Sequence, residues 1–295
     1  MKEKLLSMDR GVLYMLFASF LFAIMGGFAK ELSASMSSLE VVFFRNVFGV
    51  FVIGFMVFKS PIKQKGGKPF LLFFRGFMGF IALLAFFYNI AHISLADAMT
   101  FAKTAPVFTA FFAYVFLKEK MSSYGWIALF IGFVGIVLIT QPQGLSFTKT
   151  DLLGIFSGVG AALAYTSVRE LKKHYDTKSI VLSFMLTGTL GPLVLLALAS
   201  YVQADGFDFM FAEFVMPQGW DWFYIAGLGL FATMAQMYMT KAYGETKAGI
   251  VGAVSYSNIV FAIFIGLILG DNLPNLLTTL GIMAIVMAGV LVVKK

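Results

Sequence analysis

Three charged side chains stand inside apolar runs of this 295-residue chain: Arg45 in "VVFFRNVFGVFV", Arg75 in "LLFFRGFMGF" and Lys103 in "SLADAMTFAKTAPVFTAFF". A cation set among apolar residues either pairs with a carboxylate of the protein, attracts an anionic or carboxylate-bearing molecule, or exchanges a proton. Its insertion costs at least about 2.5 to 3.5 kcal/mol at the centre of a membrane helix, so it needs a partner or a watery cavity. Lys103 is followed three residues later by Pro106. The proline removes one helical hydrogen bond and frees the carbonyl of residue 102, next to the lysine. Three- and four-residue spacing puts Met99, Lys103, Pro106 and Ala110 on one helix face.

Depth separates the three cations. Arg75 lies about five residues from the start of its apolar run, close enough for its long stem to snorkel to the surface. Arg45 and Lys103 lie seven or eight residues in, roughly 10 to 12 Å by helix rise. The carboxylates available for an internal ion pair with them are Glu31, Glu40 and Asp97. Further polar candidates are Ser255, Tyr256 and Asn258 in "SYSNI", Tyr88, Asn89 and His92 in one run, Tyr165 in another, and Gln236, Tyr238 and Thr240 in a third. We take Lys103, Arg45, Pro106, Tyr88, Tyr165, Gln236, Tyr256 and Asn258 as the substrate-contacting set.

No catalytic constellation accompanies them. The chain has no HExxH, GxSxG or P-loop pattern, its two histidines, His92 and His174, are far apart, and it contains no cysteine. These absences argue against an enzyme, leave intramembrane hydrolysis as a remote alternative, and predict neither cofactor nor metal.

The elements that must position these residues follow from composition. With 60% hydrophobic and 13% charged residues and a mean hydropathy of +0.89, the chain lies far from the usual soluble range. Ten apolar stretches, each about 17 to 25 residues and long enough to cross a hydrocarbon core of about 30 Å, divide the chain almost completely. They run approximately from Arg10 to Lys30, Leu39 to Phe58, Pro69 to Ile90, Leu95 to Leu117, Ser123 to Thr140, Asp151 to Glu170, Ser179 to Val202, Trp220 to Lys241, Ala248 to Leu269 and Leu273 to Val293. The first is too long for a signal-peptide core and reads as a retained helix.

Connecting charges give an orientation. With the N-terminus in the cytoplasm, about seventeen lysines and arginines fall on the cytoplasmic side and only Lys30 and Lys149 outside, as the positive-inside rule requires. Both termini are then cytoplasmic, and the net charge of +7 reflects membrane topology and not nucleic-acid binding. The loop "YVQADGFDFMFAEFVMPQGWDW" mixes Phe and Met with acids and is expected at the outer interface, with an external lid as a second reading.

A weak internal repeat crosses the middle of the chain. "GVLYMLFASFLFAIMGGFAKEL" from Gly11 aligns with "GIFSGVGAALAYTSVRELKKHY" from Gly154, and "APVFTAFFAYVFLKEKM" from Ala105 with "SNIVFAIFIGLILGDNL" from Ser257. The second alignment sets Asn258 opposite Pro106. Five helices in each half, 1–145 and 146–295, make the second copy enter the membrane inverted, an architecture that supports two gates around one central site.

The ten-helix count, the two halves, "FFRNVFG" and "TAPVFTAFFAYVFLKEKMSSYGWIALFIGFVGIVLI" together resemble the drug/metabolite transporter superfamily, in particular its EamA-type members. The resemblance covers nearly the whole chain. Asn258 stands where that family usually has proline and Asp271 where it has glutamate. It implies an all-α integral membrane protein of the inner (plasma) membrane, monomeric or homodimeric in the lipid bilayer. Such a protein is a secondary active or facilitative exporter or exchanger of a small polar organic metabolite, working by alternating access without nucleic acid or cofactor; the family motifs do not distinguish substrates, and it is Lys103 and Arg45 that point to an amino-acid-like or anionic one. Export of cationic or toxic drug-like compounds is the alternative within the superfamily.

Overall fold

The computed structural model describes residues 9–62, 65–93, 101–141, 148–199, 210–211, 214–268 and 274–293, which are helical with no strand among them. In chain order the helices are α1 (Arg10–Leu32), α2 (Ser38–Lys59), α3 (Pro69–His92), α4 (Ala105–Leu117), α5 (Ser123–Thr140) and α6 (Lys149–Leu171). They continue as α7 (Thr177–Ala199), α8 (Asp221–Glu245), α9 (Ala248–Val254), α10 (Ser257–Ile268) and α11 (Leu276–Val293). Among the described residues, six segments are long and apolar enough to cross a membrane: Arg10–Leu32, Ser38–Lys59, Pro69–Asn89, Lys149–Leu171, Thr177–Ala199 and Ala248–Leu267. Ala105–Leu117, Ser123–Ile139 and Leu276–Leu291 are shorter apolar helices.

Local chemistry starts the helices where the apolar runs begin. Ser37 and Glu40 form a reciprocal capping box on α2, and Thr148 and Asp151 form another on α6, each satisfying backbone donors that a helix start leaves unpaired. Asp9 caps α1 through the Gly11 amide at 2.9 Å and also accepts from the Thr246 hydroxyl, which ties the start of α1 to the end of α8. Glu40 is fully buried, and its second oxygen accepts from the Val215 amide at 2.6 Å. It therefore serves a cap and a loop, not Arg45 or Lys103.

Helices from the two halves interleave. α1 packs on α8 and α3 on α6; α2 packs on α7 and α5 on α11; α4 packs on α6 and α10 on α1. Small residues permit the closest approaches: a Cβ added at Gly252 of α9 would meet the Pro106 backbone of α4 at 3.2 Å. Where apolar burial between helices is weak as a driving force, such backbone proximity is what holds them together.

Two of the long apolar segments are broken. Phe101 and Ala102 are helical, Lys103 and Thr104 form a turn, and α4 starts at Ala105 with Pro106 in its first turn. The second break lies at Ser255 and Tyr256, between α9 and α10. Thr104 Oγ1 donates to the Phe101 carbonyl and Ser255 Oγ to the Gly252 carbonyl, both at 2.6 Å, so at each interruption a hydroxyl bonds back to the carbonyl three residues earlier, alongside its own backbone N–H. Under the alignment of Ala105 with Ser257, the two breaks fall at the same register.

Candidate functional site

A cavity of about 570 Å³ lies between the broken segments and α1, α2, α3, α6, α7 and α8. It extends from Met15, in the second turn of α1, to Lys30 and Ser33 at the helix end, where both residues are exposed. Its wall is mostly apolar; three cations, Arg45, Arg75 and Lys103, interrupt it in the interior, and a fourth, Lys30, stands exposed at its mouth. No Asp or Glu is among the described residues that line it.

Lys103 Nζ donates to Asn258 Oδ1 at 2.9 Å, and Asn258 Nδ2 donates in turn to the Ser19 carbonyl of α1 at 3.0 Å. One amide thus bridges the two breaks and α1. Of the carboxylates considered as partners for the buried cations, Glu40 is committed elsewhere and Asp97, like Met99 and Asp271, lies outside the described residues.

The arginines are buried deeper. Arg45 is 3% exposed and Arg75 1%. Both guanidinium groups lie over the Phe184 ring of α7, with their central carbons 5.4 and 4.7 Å from its centroid. Arg45 also donates to Asn46 Oδ1 at 3.1 Å, while its Nε has no hydrogen-bond partner. All three nitrogens of Arg75 are without one. Cation–π attraction to a shared ring contributes about 0.5 to 2 kcal/mol per cation, too little to replace five unmade N–H hydrogen bonds.

Arg75 corrects a sequence-based expectation. It does not snorkel out of the bundle but points into the cavity wall, beside Gly79, where an added Cβ would stand 2.5 Å from its Nη1. The signal was present: "FFRNVFG" around Arg45 is matched by "FFRGFMG" around Arg75, each with a glycine four residues after the arginine. A glycine one turn on leaves room for the guanidinium to fold over its own helix.

Of the remaining candidates, Pro106, Tyr165 and Gln236 line the cavity, Tyr165 stacked on Tyr243 with centroids 5.5 Å apart. Tyr88 is instead stacked on His92 at 3.8 Å, and Tyr256 is buried with its ring against Gly132; neither is among the lining residues. Phe184 and Tyr243, which do line it, were missed because isolated aromatics in an apolar helix carry no distinguishing pattern.

Beyond the cavity, the opposite end of the bundle is cross-linked by polar contacts. Glu119, just after α4, accepts from Arg169 Nε at 2.9 Å and from the Ala248 amide at the start of α9 at 3.0 Å. Arg169 also donates to the Gly244 carbonyl at 2.7 Å. Beside it, Lys68 meets Glu170 at 2.6 Å, and the Lys65 and Gly66 amides donate to the His174 carbonyl.

An all-helical bundle with six or more membrane-length apolar segments and a central, partly polar cavity defines a multi-pass membrane protein. The EamA-like transporter family model matches residues 9–141 and 148–294, so the chain belongs to that family. It is 33% identical to an uncharacterized transporter of Helicobacter pylori (strain ATCC 700392 / 26695), over 96% of this chain and 94% of that one. It is 32% identical to the pseudopaline exporter CntI of Pseudomonas aeruginosa, over 94% of each chain. It is 29% identical to human solute carrier family 35 member G1, over 95% of this chain and 78% of that one. A crystal structure at 15% identity shares the fold with a TM-score of 0.79, covering 97% of this chain and 96% of that one. The three sequence relatives carry the names of transporters or solute carriers.

Proposed function

We propose that the protein is a secondary carrier of a small polar organic metabolite, amino-acid-like or anionic, working by alternating access through this cavity. The observation that carries the reading is the contrast along one axis. A chamber whose interior cations Arg45, Arg75 and Lys103 meet no carboxylate among the described lining residues reaches one end of the bundle, and ion pairs between helix ends tie the other. In the orientation given by the lysine and arginine distribution, with ten spans and both termini cytoplasmic, the open end faces outward and the ion-paired end inward across an inner membrane. The exchange of partners between halves, α1 on α8 against α3 on α6, and the two breaks at one register support an inverted repeat of 1–145 and 146–295.

Names among the relatives include an exporter and, at 21% identity, an S-adenosylmethionine uptake transporter of Rickettsia conorii, so direction is not inherited from the family. Export of cationic compounds is the weaker reading, because the cavity already holds cations. The test is reconstitution in proteoliposomes with radiolabelled amino acids, organic acids and organic cations. Saturable, protein-dependent uptake of an acid or amino acid supports the carrier; flux indistinguishable from empty liposomes for every class defeats it. Since the chain has no cysteine, single cysteines at positions 33 and 60 report orientation by opposite labelling with an impermeant thiol reagent.

A further inference from the structure

Arg45, Arg75 and Lys103 share one cavity, and no carboxylate among its described lining residues balances them. Arginine stays charged in proteins and presents a planar fork of donors suited to carboxylate or phosphate oxygens. Arg75 carries five N–H donors with no acceptor among the described residues, at 1% exposure. Groups buried to this degree are nearly always hydrogen-bonded, so the acceptors are supplied by water or by a solute that enters the cavity. A single negative charge leaves at least one guanidinium uncompensated in an apolar chamber, where uncompensated charge is costly.

Resting on the carrier reading above, we propose that the substrate is a small organic polyanion with at least two oxyanion groups: two carboxylates, or a carboxylate and a phosphate. One group is received by Arg45 and Arg75 above Phe184, and another by Lys103, which Asn258 holds in place. The apolar remainder of the wall, including Met15, Phe22 and Met239, accommodates the carbon skeleton between them. A zwitterionic amino acid fits poorly, because its ammonium finds no carboxylate among the described lining residues.

The test compares probes of matched length on the intact protein. Glutarate, propane-1,2,3-tricarboxylate and 3-phosphoglycerate are set against valerate and 4-aminobutyrate. Binding is read by thermal shift in detergent and transport by uptake in proteoliposomes. The melting temperature is expected to rise saturably with at least one polyanion and not with valerate or 4-aminobutyrate, and the responding probe separates a carboxylate site from a mixed phosphate site. Arg75→Gln is expected to weaken that response at least about tenfold, the loss of a charge-assisted hydrogen bond, and Arg75→Lys to weaken it less. Equal or stronger response to valerate, 4-aminobutyrate or an organic cation overturns the polyanion assignment while leaving a carrier. Saturable uptake of a polyanion that Arg75→Gln leaves unchanged, in protein that elutes as a single folded species, overturns the arginine site. Absence of protein-dependent flux for any solute defeats the carrier reading itself.

Discussion

The two ends of the bundle use charge in opposite ways. At the end holding Glu119 and Arg169, cations meet carboxylates and helix-terminal carbonyls from α4, α6, α8 and α9. In the cavity, two arginines share an aromatic ring and lack carboxylates. Charges of the first kind hold helices together; charges of the second kind are tolerated at a cost in stability, and on the carrier reading they serve a solute that enters the cavity. Removing a charge should therefore have opposite signs on stability at the two places.

The largest expected effect is at Arg75. Arg75→Met keeps an unbranched stem of similar reach and removes a buried cation that has no hydrogen-bond partner among the described residues, so the desolvation cost of that charge is relieved. Uptake of the cognate solute should fall more than about a hundredfold, the loss of two charge-assisted hydrogen bonds, while the melting temperature stays level or rises. A clear drop in melting temperature would place Arg75 among the structural charges and dissolve the contrast.

Glu119→Ala is the converse. It strips the partner from a half-buried Arg169 and from the first amide of α9, and should destabilise by about 2 to 4 kcal/mol, read as a lower melting temperature in detergent. Glu119→Gln keeps acceptors for both donors and should recover roughly half. If instead Glu119→Ala melts like the parent, the ion-paired end is not what closes the molecule.

How much of this was legible beforehand differs by kind of feature. Helix positions followed from apolar length, and the break before Pro106 followed from its missing N–H. The matching break at Ser255 was not legible, because no proline marks it. Arg75 was misplaced for a geometric reason: distance along a helix gives depth but not the direction a side chain faces. In helices such as "PFLLFFRGFMGFIALLAFF" every face is apolar, so no polar stripe tells inside from outside. The Glu119–Arg169 pair joins residues from separate helices, a pairing that only tertiary contact reveals.

Asn258 lies between the two regimes, since its side chain serves the cavity lysine and the α1 backbone at once. Asn258→Ala leaves Lys103 and the Ser19 carbonyl without these partners and should destabilise by about 1 to 3 kcal/mol while weakening substrate binding. Asn258→Asp supplies Lys103 with a carboxylate. If the cavity needs net positive charge, that variant should bind polyanions more weakly than Asn258→Ala does, even while it melts higher.

The smallest effect is expected at Lys173, whose ammonium meets Glu170 at 2.6 Å from a position 65% exposed. Exposed pairs of this kind contribute about 0 to 1 kcal/mol, because water already solvates both partners and ordering two long side chains has an entropic cost. Lys173→Ala should therefore move the melting temperature by a degree or two and leave uptake unchanged, since Lys68 still holds Glu170. Lys173→Ala combined with Lys68→Ala leaves Glu170 only His174 among its basic neighbours. A loss in the double variant that exceeds the sum of the single losses identifies a cooperative network at the ion-paired end; simple additivity assigns the closure to Glu119 and Arg169.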